Sequence, residues 1–352
     1  MKKVSSLDLW GYLTPKQVKK WLRNTLVKNT LWVTIGEFIA KAFLSILTIV
    51  IIRRLGVEKF GQFSFAFSFA TLFTFLPDFG FQNLLVRSIA KGKLSPGTYI
   101  RHITYVKLVL SLITCIITIG LGFFFVSPAS LVGVIALASL YVIFQSFSNL
   151  FFAYFNGLEK MEFNAIGRIY QTGLLFIAGI ISYALGASIY GFGIGYVVAS
   201  FMHALTIGII VFQKTSIQKF KIDPDFIKIL LFEAWPFVAA IAFNTIYINL
   251  DTTFLSIFRN YAEVGLYQAA YKILFAFQSI NLIHSVLFPR FSALARANRP
   301  KEYKALMYKV MVLSGLLLIP TGIVLSSLSS YILKILYGTS YTKGGFALFL
   351  LL

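Results

Sequence analysis

The sequence predicts an all-α polytopic membrane helix bundle of nine full spans and a truncated tenth, built as two parallel-repeat lobes. Three observations carry that prediction. The 352 residues are 58% hydrophobic and 12% charged, with a mean hydropathy of +0.81, far above the ~45–50% apolar content of soluble domains. Apolar runs near or above the ~20 residues needed to cross a bilayer recur along the whole chain. Finally, the stretch from Arg53 to Lys93 has a weaker copy at a constant offset of 204 residues, where Gly61 meets Gly265, Phe63 meets Tyr267, Ala66 meets Ala270, Phe67 meets Tyr271, Phe73 meets Phe277 and Ser88 meets Ser292. One apolar unit used twice is a common plan in transporters.

Residues 1–29 lack an apolar core and carry seven Lys or Arg, so they read as a cytoplasmic tail rather than a removable signal. Within the tail, Thr14 and Pro15 suit a first helical turn, and Val18, Trp21, Leu22 and Leu26 share one face. An interfacial amphipathic helix is expected there. The N-terminal lobe follows over 30–212, with spans at 30–52, 62–86, 102–126, 129–155, 164–186 and 188–212. The polar stretch 213–228 separates it, as a cytoplasmic linker, from a C-terminal lobe over 229–352, with spans at 229–257, 264–288 and 305–332. From Phe346 to Leu352 only the start of a tenth span remains. Spans 1 and 7 then begin on the same side, so the repeat axis runs along the membrane normal.

The positive charges fix the side. Six Lys or Arg (Arg53, Arg54, Lys59, Arg259, Lys334 and Lys343) fall on one side, and four (Lys41, Lys107, Lys272 and Lys309) fall inside spans. The other 22 of the 32 lie in the tail and in alternate loops. This positive-inside bias predicts a multi-pass protein of the inner (plasma) membrane with its N-terminus in the cytoplasm. It also accounts for the net charge of +20, and so argues against nucleic acid as a partner.

Charges inside spans cost about 2.5–3.5 kcal/mol each at the membrane centre and normally face a bundle interior or water. On span 1, Glu37 and Lys41 stand one turn apart in the order that favours an i,i+4 pair, on a stripe with Thr34, Ser45 and Thr48. Asp78 follows Pro77, which removes a backbone donor and predicts a kink in span 2. Span 7 carries Pro236 and a stripe of Asn244, Tyr247 and Asp251; span 8 adds Tyr267, Tyr271, Lys272 and Gln278, with His284 deeper. Spans 3 to 6 read as nearly bare of such groups, with Lys107 and Arg168 as snorkelling anchors near cytoplasmic ends. A water-filled cleft among spans 1, 2, 7 and 8 fits this distribution.

Enzyme signatures are missing. The single Cys115 excludes a disulfide framework, and no GxxxxGK[ST] loop or HExxH pair occurs. The close acidic pairs, Asp223/Asp225 and Glu159/Glu162, fall in short basic loops. The chain is therefore expected to be neither an enzyme nor the holder of a cofactor or metal.

The residues Arg54, Leu55, Gly56, Glu58, Phe60, Gly61, Phe63, Asp78, Gly80, Arg87, Ile89 and Ala90, with LYGTSY at Leu336 to Tyr341, make a pattern that resembles the Wzx-type polysaccharide flippases of the MOP (MATE-like) exporter superfamily. The resemblance runs from Asn29 onward. It implies a V-shaped, two-lobed bundle that moves an undecaprenyl-diphosphate-linked oligosaccharide from the inner to the outer leaflet by alternating access, often ion-coupled, for surface polysaccharide such as lipopolysaccharide. It also implies a cavity lined by spans 1, 2, 7 and 8. On that reading Lys41, Lys272 and Arg87 meet the diphosphate, Asn244 and Tyr247 meet sugar, and Glu37, Asp78 or Asp251 couples to a cation. A polysaccharide polymerase and glycosyltransferases are candidate partners. Two other readings stay open: a cation-coupled exporter of amphiphilic drugs, suited by acids in the cavity, and a non-transporting membrane component of a polysaccharide-assembly complex.

Overall fold

The computed structural model describes residues 25–92, 94–215, 222–278, 291, 294–295 and 299–352, and all regular structure among them is helical. The expected tail helix lies almost wholly outside these residues, as do His284 and residues 216–221 of the expected linker. In chain order the helices are α1 (Thr25–Leu72), α2 (Phe75–Asp78), α3 (Phe81–Lys91), α4 (Pro96–Phe125), α5 (Ser130–Gly157), α6 (Met161–Ala184), α7 (Ile189–Lys214), α8 (Pro224–Phe258), α9 (Tyr261–Gln278), α10 (Pro300–Ser327), α11 (Ser329–Tyr337) and α12 (Gly345–Leu351), with a 3-10 turn over Thr339–Gly344 before α12. Seven stretches among the described residues are long and apolar enough to cross a membrane: the run 34–91, then α4, α5, α6, α7, α8 and α10. The run 34–91 takes in most of the predicted span 30–52 and all of 62–86, and α9 covers the described part of another.

Helix α1 is interrupted at Gly56, whose φ of 73° and ψ of 176° no L-residue adopts easily. The chain folds back there. Thr48 and Phe67 line one cavity of about 240 Å³, whereas nineteen residues of straight helix would set them about 28 Å apart. The returning arm does not run on as one kinked span. It ends at Leu72 and is followed by the single-turn α2, and then Phe79 (φ 37°) and Gly80 (φ 71°) both take left-handed backbone before α3 begins. A Cβ on Gly80 would lie 2.4 Å from Phe237 Cβ and 3.0 Å from the Ala234 carbonyl oxygen, so both conformation and space demand glycine. The same close approach seats α3 on α8.

This break is held by a charge pair. Lys107 of α4 is fully buried and donates from Nζ to the Pro77 carbonyl (2.8 Å) and to Asp78 Oδ1 (2.9 Å). Ser146 of α5 donates its hydroxyl to the same carboxylate oxygen, and the ammonium lies 5.7 Å from the Phe147 ring centroid. The sequence pattern placed Lys107 as a snorkelling anchor. Its position opposite the helix break overrides that, because an exposed carbonyl and a carboxylate inside the bundle both require a donor. Spans 3 to 6 are likewise not bare: Ser148 and His203 (2.8 Å) and Gln145 and Gln171 make buried polar contacts across α5, α6 and α7.

The 204-residue repeat is visible as geometry. Pro96 and Pro300 each open a helix, and α9 begins 204 residues after the returning arm of α1 leaves Gly56. These two arms meet backbone to backbone. A Cβ built on Gly61 would lie 1.7 Å from the Tyr261 carbonyl oxygen and 2.8 Å from the Gly265 nitrogen; one built on Gly265 would lie 2.0 Å from the Val57 carbonyl oxygen and 3.2 Å from the Gly61 nitrogen. The contact is reciprocal, and Tyr261 is Val57 shifted by the same offset, which is the signature of a local two-fold axis. Side-chain bonds surround it. Arg53 donates to the Leu336 (2.7 Å) and Ile335 (2.6 Å) carbonyls, Tyr341 to the Ile52 carbonyl (3.1 Å) and Tyr261 to the Ser127 carbonyl (2.7 Å).

Two outcomes are expected from these contacts. Gly265→Ala should lower the stability of the detergent-solubilised protein by about 1–3 kcal/mol or more, read as a fall in the thermal midpoint; an unchanged midpoint would mean that the arms do not touch at this glycine. Lys107→Met should cost about 3 kcal/mol by leaving the partly buried Asp78 without its cation. The double variant Lys107→Gln/Asp78→Asn should recover most of that loss, and equal damage from single and double variants would dissolve the assigned pair.

Candidate functional site

Below the glycine crossing, the two arms and their neighbours enclose the cavity of about 240 Å³. Its walls come from both halves of the chain. Thr48 and Ile51 line it from the first arm of α1, and Phe60, Phe63, Ser64, Phe67, Ser68 and Thr71 from the returning arm. Tyr141 of α5, Tyr196 of α7, Asn249 of α8 and Gln268 and Lys272 of α9 complete the lining. Lys272 is the one charged residue in this lining, which contains no carboxylate.

The polar lining follows from helical spacing. Ser64, Ser68 and Thr71 stand at i, i+4 and i+7 and so share one face of the returning arm, while the phenylalanines between them turn partly into the apolar core. Phe63, Phe67, Tyr141 and Tyr196 form one aromatic cluster, with ring centroids 4.4–5.8 Å apart. Gln268 donates to Thr252 Oγ1, and Asn249 to the Thr245 carbonyl (2.9 Å). No hydrogen bond or ion pair among the described residues engages Lys272 or the hydroxyls of Thr48, Ser64, Ser68, Tyr141 and Tyr196. These hydroxyls are not among the sealed-off polar atoms either.

The structure gathers some of the predicted residues and scatters others. Lys272 enters the cavity, as Thr48 does. Lys41 is half-buried, two turns along the same stripe from Thr48, about 10 Å by helical rise. Its expected partner Glu37 instead pairs with Arg168 of α6, whose Nε lies 3.3 Å from Glu37 Oε1. The geometric reason is that α6 packs along the first arm of α1 and offers a second cation to the carboxylate. Arg168, with 42% of its side chain exposed, also sets its guanidinium 5.5 Å from the Phe152 ring centroid. Asp78 is taken up by Lys107 and Ser146. Asp251 of α8 accepts from the Tyr267 hydroxyl and from the Thr252 backbone (2.6 Å) and hydroxyl (3.1 Å). Asn244 and Tyr247 are exposed on α8, and Arg87 is exposed on α3.

Tyr141, Tyr196, Ser64, Ser68, Asn249 and Gln268 lay outside the predicted set. The Ser64/Ser68/Thr71 spacing was a readable signal; the two tyrosines carried none, because one ring among many apolar residues in a span does not announce its direction. No group of three or more His, Cys, Asp or Glu side chains able to hold a metal ion occurs among the described residues.

Comparison with known proteins places this architecture. By structure the chain is similar to a eukaryotic MATE transporter, AtDTX14, with a TM-score of 0.52 and 14% sequence identity over 93% of this chain and 78% of that one. Among curated proteins, no sequence matches it. A profile of the family described as "Polysaccharide biosynthesis protein" matches residues 26–295, well over half of the chain. The helical bundle, the repeat and this match together make the chain a multi-pass member of the polysaccharide biosynthesis protein family, with a fold similar to that of a MATE transporter.

Proposed function

We propose that this protein moves an undecaprenyl-diphosphate-linked oligosaccharide from the inner to the outer leaflet of the cell's inner membrane. The lobes at 30–212 and 229–352 would alternate access to the shared cavity, and the N-terminus would lie in the cytoplasm. The observation that carries this reading is the charge of the cavity: one lysine and no carboxylate in its lining. The pairing of the other intramembrane charges supports it. Glu37 and Asp78 are each matched by a cation from a neighbouring helix, which leaves Lys41, Lys272 and the exposed Lys309 without a carboxylate partner among the described residues, and of these Lys272 lines the cavity. An unmatched cation inside a membrane protein favours an anionic ligand, and a diphosphate meets that need.

Arg87, exposed on α3, would meet the same headgroup at the cytoplasmic mouth. Asp251, held by hydrogen bonds rather than by a cation, is the acid best placed to take up a coupling proton or ion. Glu37 and Asp78 serve as structural counter-charges in this scheme, and Asn244 and Tyr247 sit outside the described cavity. An exporter of cationic amphiphiles would need acid where the cavity has Lys272, and the lining disfavours it.

In a strain lacking its own flippase, Lys272→Gln should lower glycan export by at least about tenfold, the worth of a charge-assisted hydrogen bond, and Lys272→Glu should abolish it. Both variants should reach the membrane in normal amounts. Full export by the Glu variant would refute the anion-binding role, and drug efflux without any glycan phenotype would move the protein to the exporter class.

A further inference from the structure

The cavity contains more hydroxyls than a diphosphate needs. Those of Thr48, Ser64, Ser68, Tyr141 and Tyr196 open onto one space of about 240 Å³, smaller than the ~300–1,000 Å³ that encloses a whole drug-sized ligand. It therefore takes one portion of a large substrate at a time.

Tyr141 and Tyr196 are the informative pair. Both rings pack into the Phe63/Phe67 cluster, and for packing alone phenylalanine would serve as well. A phenol inside a membrane protein is costly unless its hydroxyl has a partner. Neither hydroxyl has a protein partner among the described residues, and neither is sealed off. The two arrive on different helices, α5 and α7, with ring centroids 5.3 Å apart. In the same lining, Ser64, Ser68 and Thr71 supply further short hydroxyls and Lys272 the charge.

Resting on the flippase reading, we propose that this wall reads the sugar portion of the substrate, and that the Tyr141 and Tyr196 hydroxyls are specificity-determining groups that hydrogen-bond sugar hydroxyls during passage. A saccharide is the ligand class whose chemistry suits the wall: a rim of hydroxyls that both donate and accept, and C–H faces that lie against aromatic rings. The single cation then serves the diphosphate, and the glycan is recognised by neutral groups.

The test is the double variant Tyr141→Phe/Tyr196→Phe, which keeps both rings and so keeps the packing. Proteoliposomes containing the full chain are given two probes: a lipid-linked oligosaccharide extracted from the host's own membranes, and sugarless polyprenyl diphosphate. Wild-type protein should move both. The double variant should move the sugar-bearing lipid roughly tenfold more slowly, the worth of two ordinary hydrogen bonds, and the sugarless lipid at the wild-type rate. If both probes slow equally, or neither slows, the hydroxyls do not read sugar and the proposal fails while the flippase reading stands. If wild-type protein moves neither probe, the flippase reading fails and takes this proposal with it.

Discussion

The contact between Gly61 and Gly265 is the constraint on which the rest of the structure is built. Helices in lipid gain no hydrophobic advantage from meeting one another, so close approach depends on small residues that let backbones touch. Here the carbonyls of Tyr261 and Val57 occupy the places where the two glycines would carry side chains. That approach fixes the crossing of the returning arm of α1 with α9, and the crossing fixes the cavity beneath it. Arg53, Tyr261 and Tyr341 then tie the surrounding segments to carbonyl oxygens nearby.

A second constraint is the low dielectric of the interior, which rewards matched charges and penalises single ones. The sequence contains a mixture of acids and bases in its spans, and their mixture obscures the sign of the cavity. Folding sorts them. Glu37 finds Arg168 and Asp78 finds Lys107, each across helices and far apart in sequence. What remains facing the cavity is the base Lys272, so its character comes from which charges are cancelled elsewhere.

The parts of the fold governed by local physics were legible in advance. Apolar length marked the spans, and the constant 204-residue offset marked Gly61 and Gly265 as equivalent positions, though not that the two would touch. Lys272 and Thr48, which line the cavity, stood out in the sequence because a polar group inside a span is conspicuous by type. Direction was not legible. Glu37 had a cation one turn away on its own helix and another on α6, and only packing decides between them. Lys107 looked like an anchor because its value to the break at Pro77 depends on α4 lying opposite that break. Tyr141 and Tyr196 were lost among 18 tyrosines and 37 phenylalanines, since composition does not say which rings face a cavity.

The glycine crossing also limits how this molecule can vary. A joint made of bare backbone has no side chain to lengthen, shorten or exchange, and on either partner the one available change is added bulk. Because the two positions are related by the repeat, bulk at one does to the joint what bulk at the other does. The two halves can drift apart in charge, as Asp78 and its equivalent by the offset, Leu282, do, yet they remain tied at this point. Adjustment of how firmly they hold together is left to the ring of replaceable side chains around it, Arg53, Tyr261 and Tyr341, where a substitution can be graded.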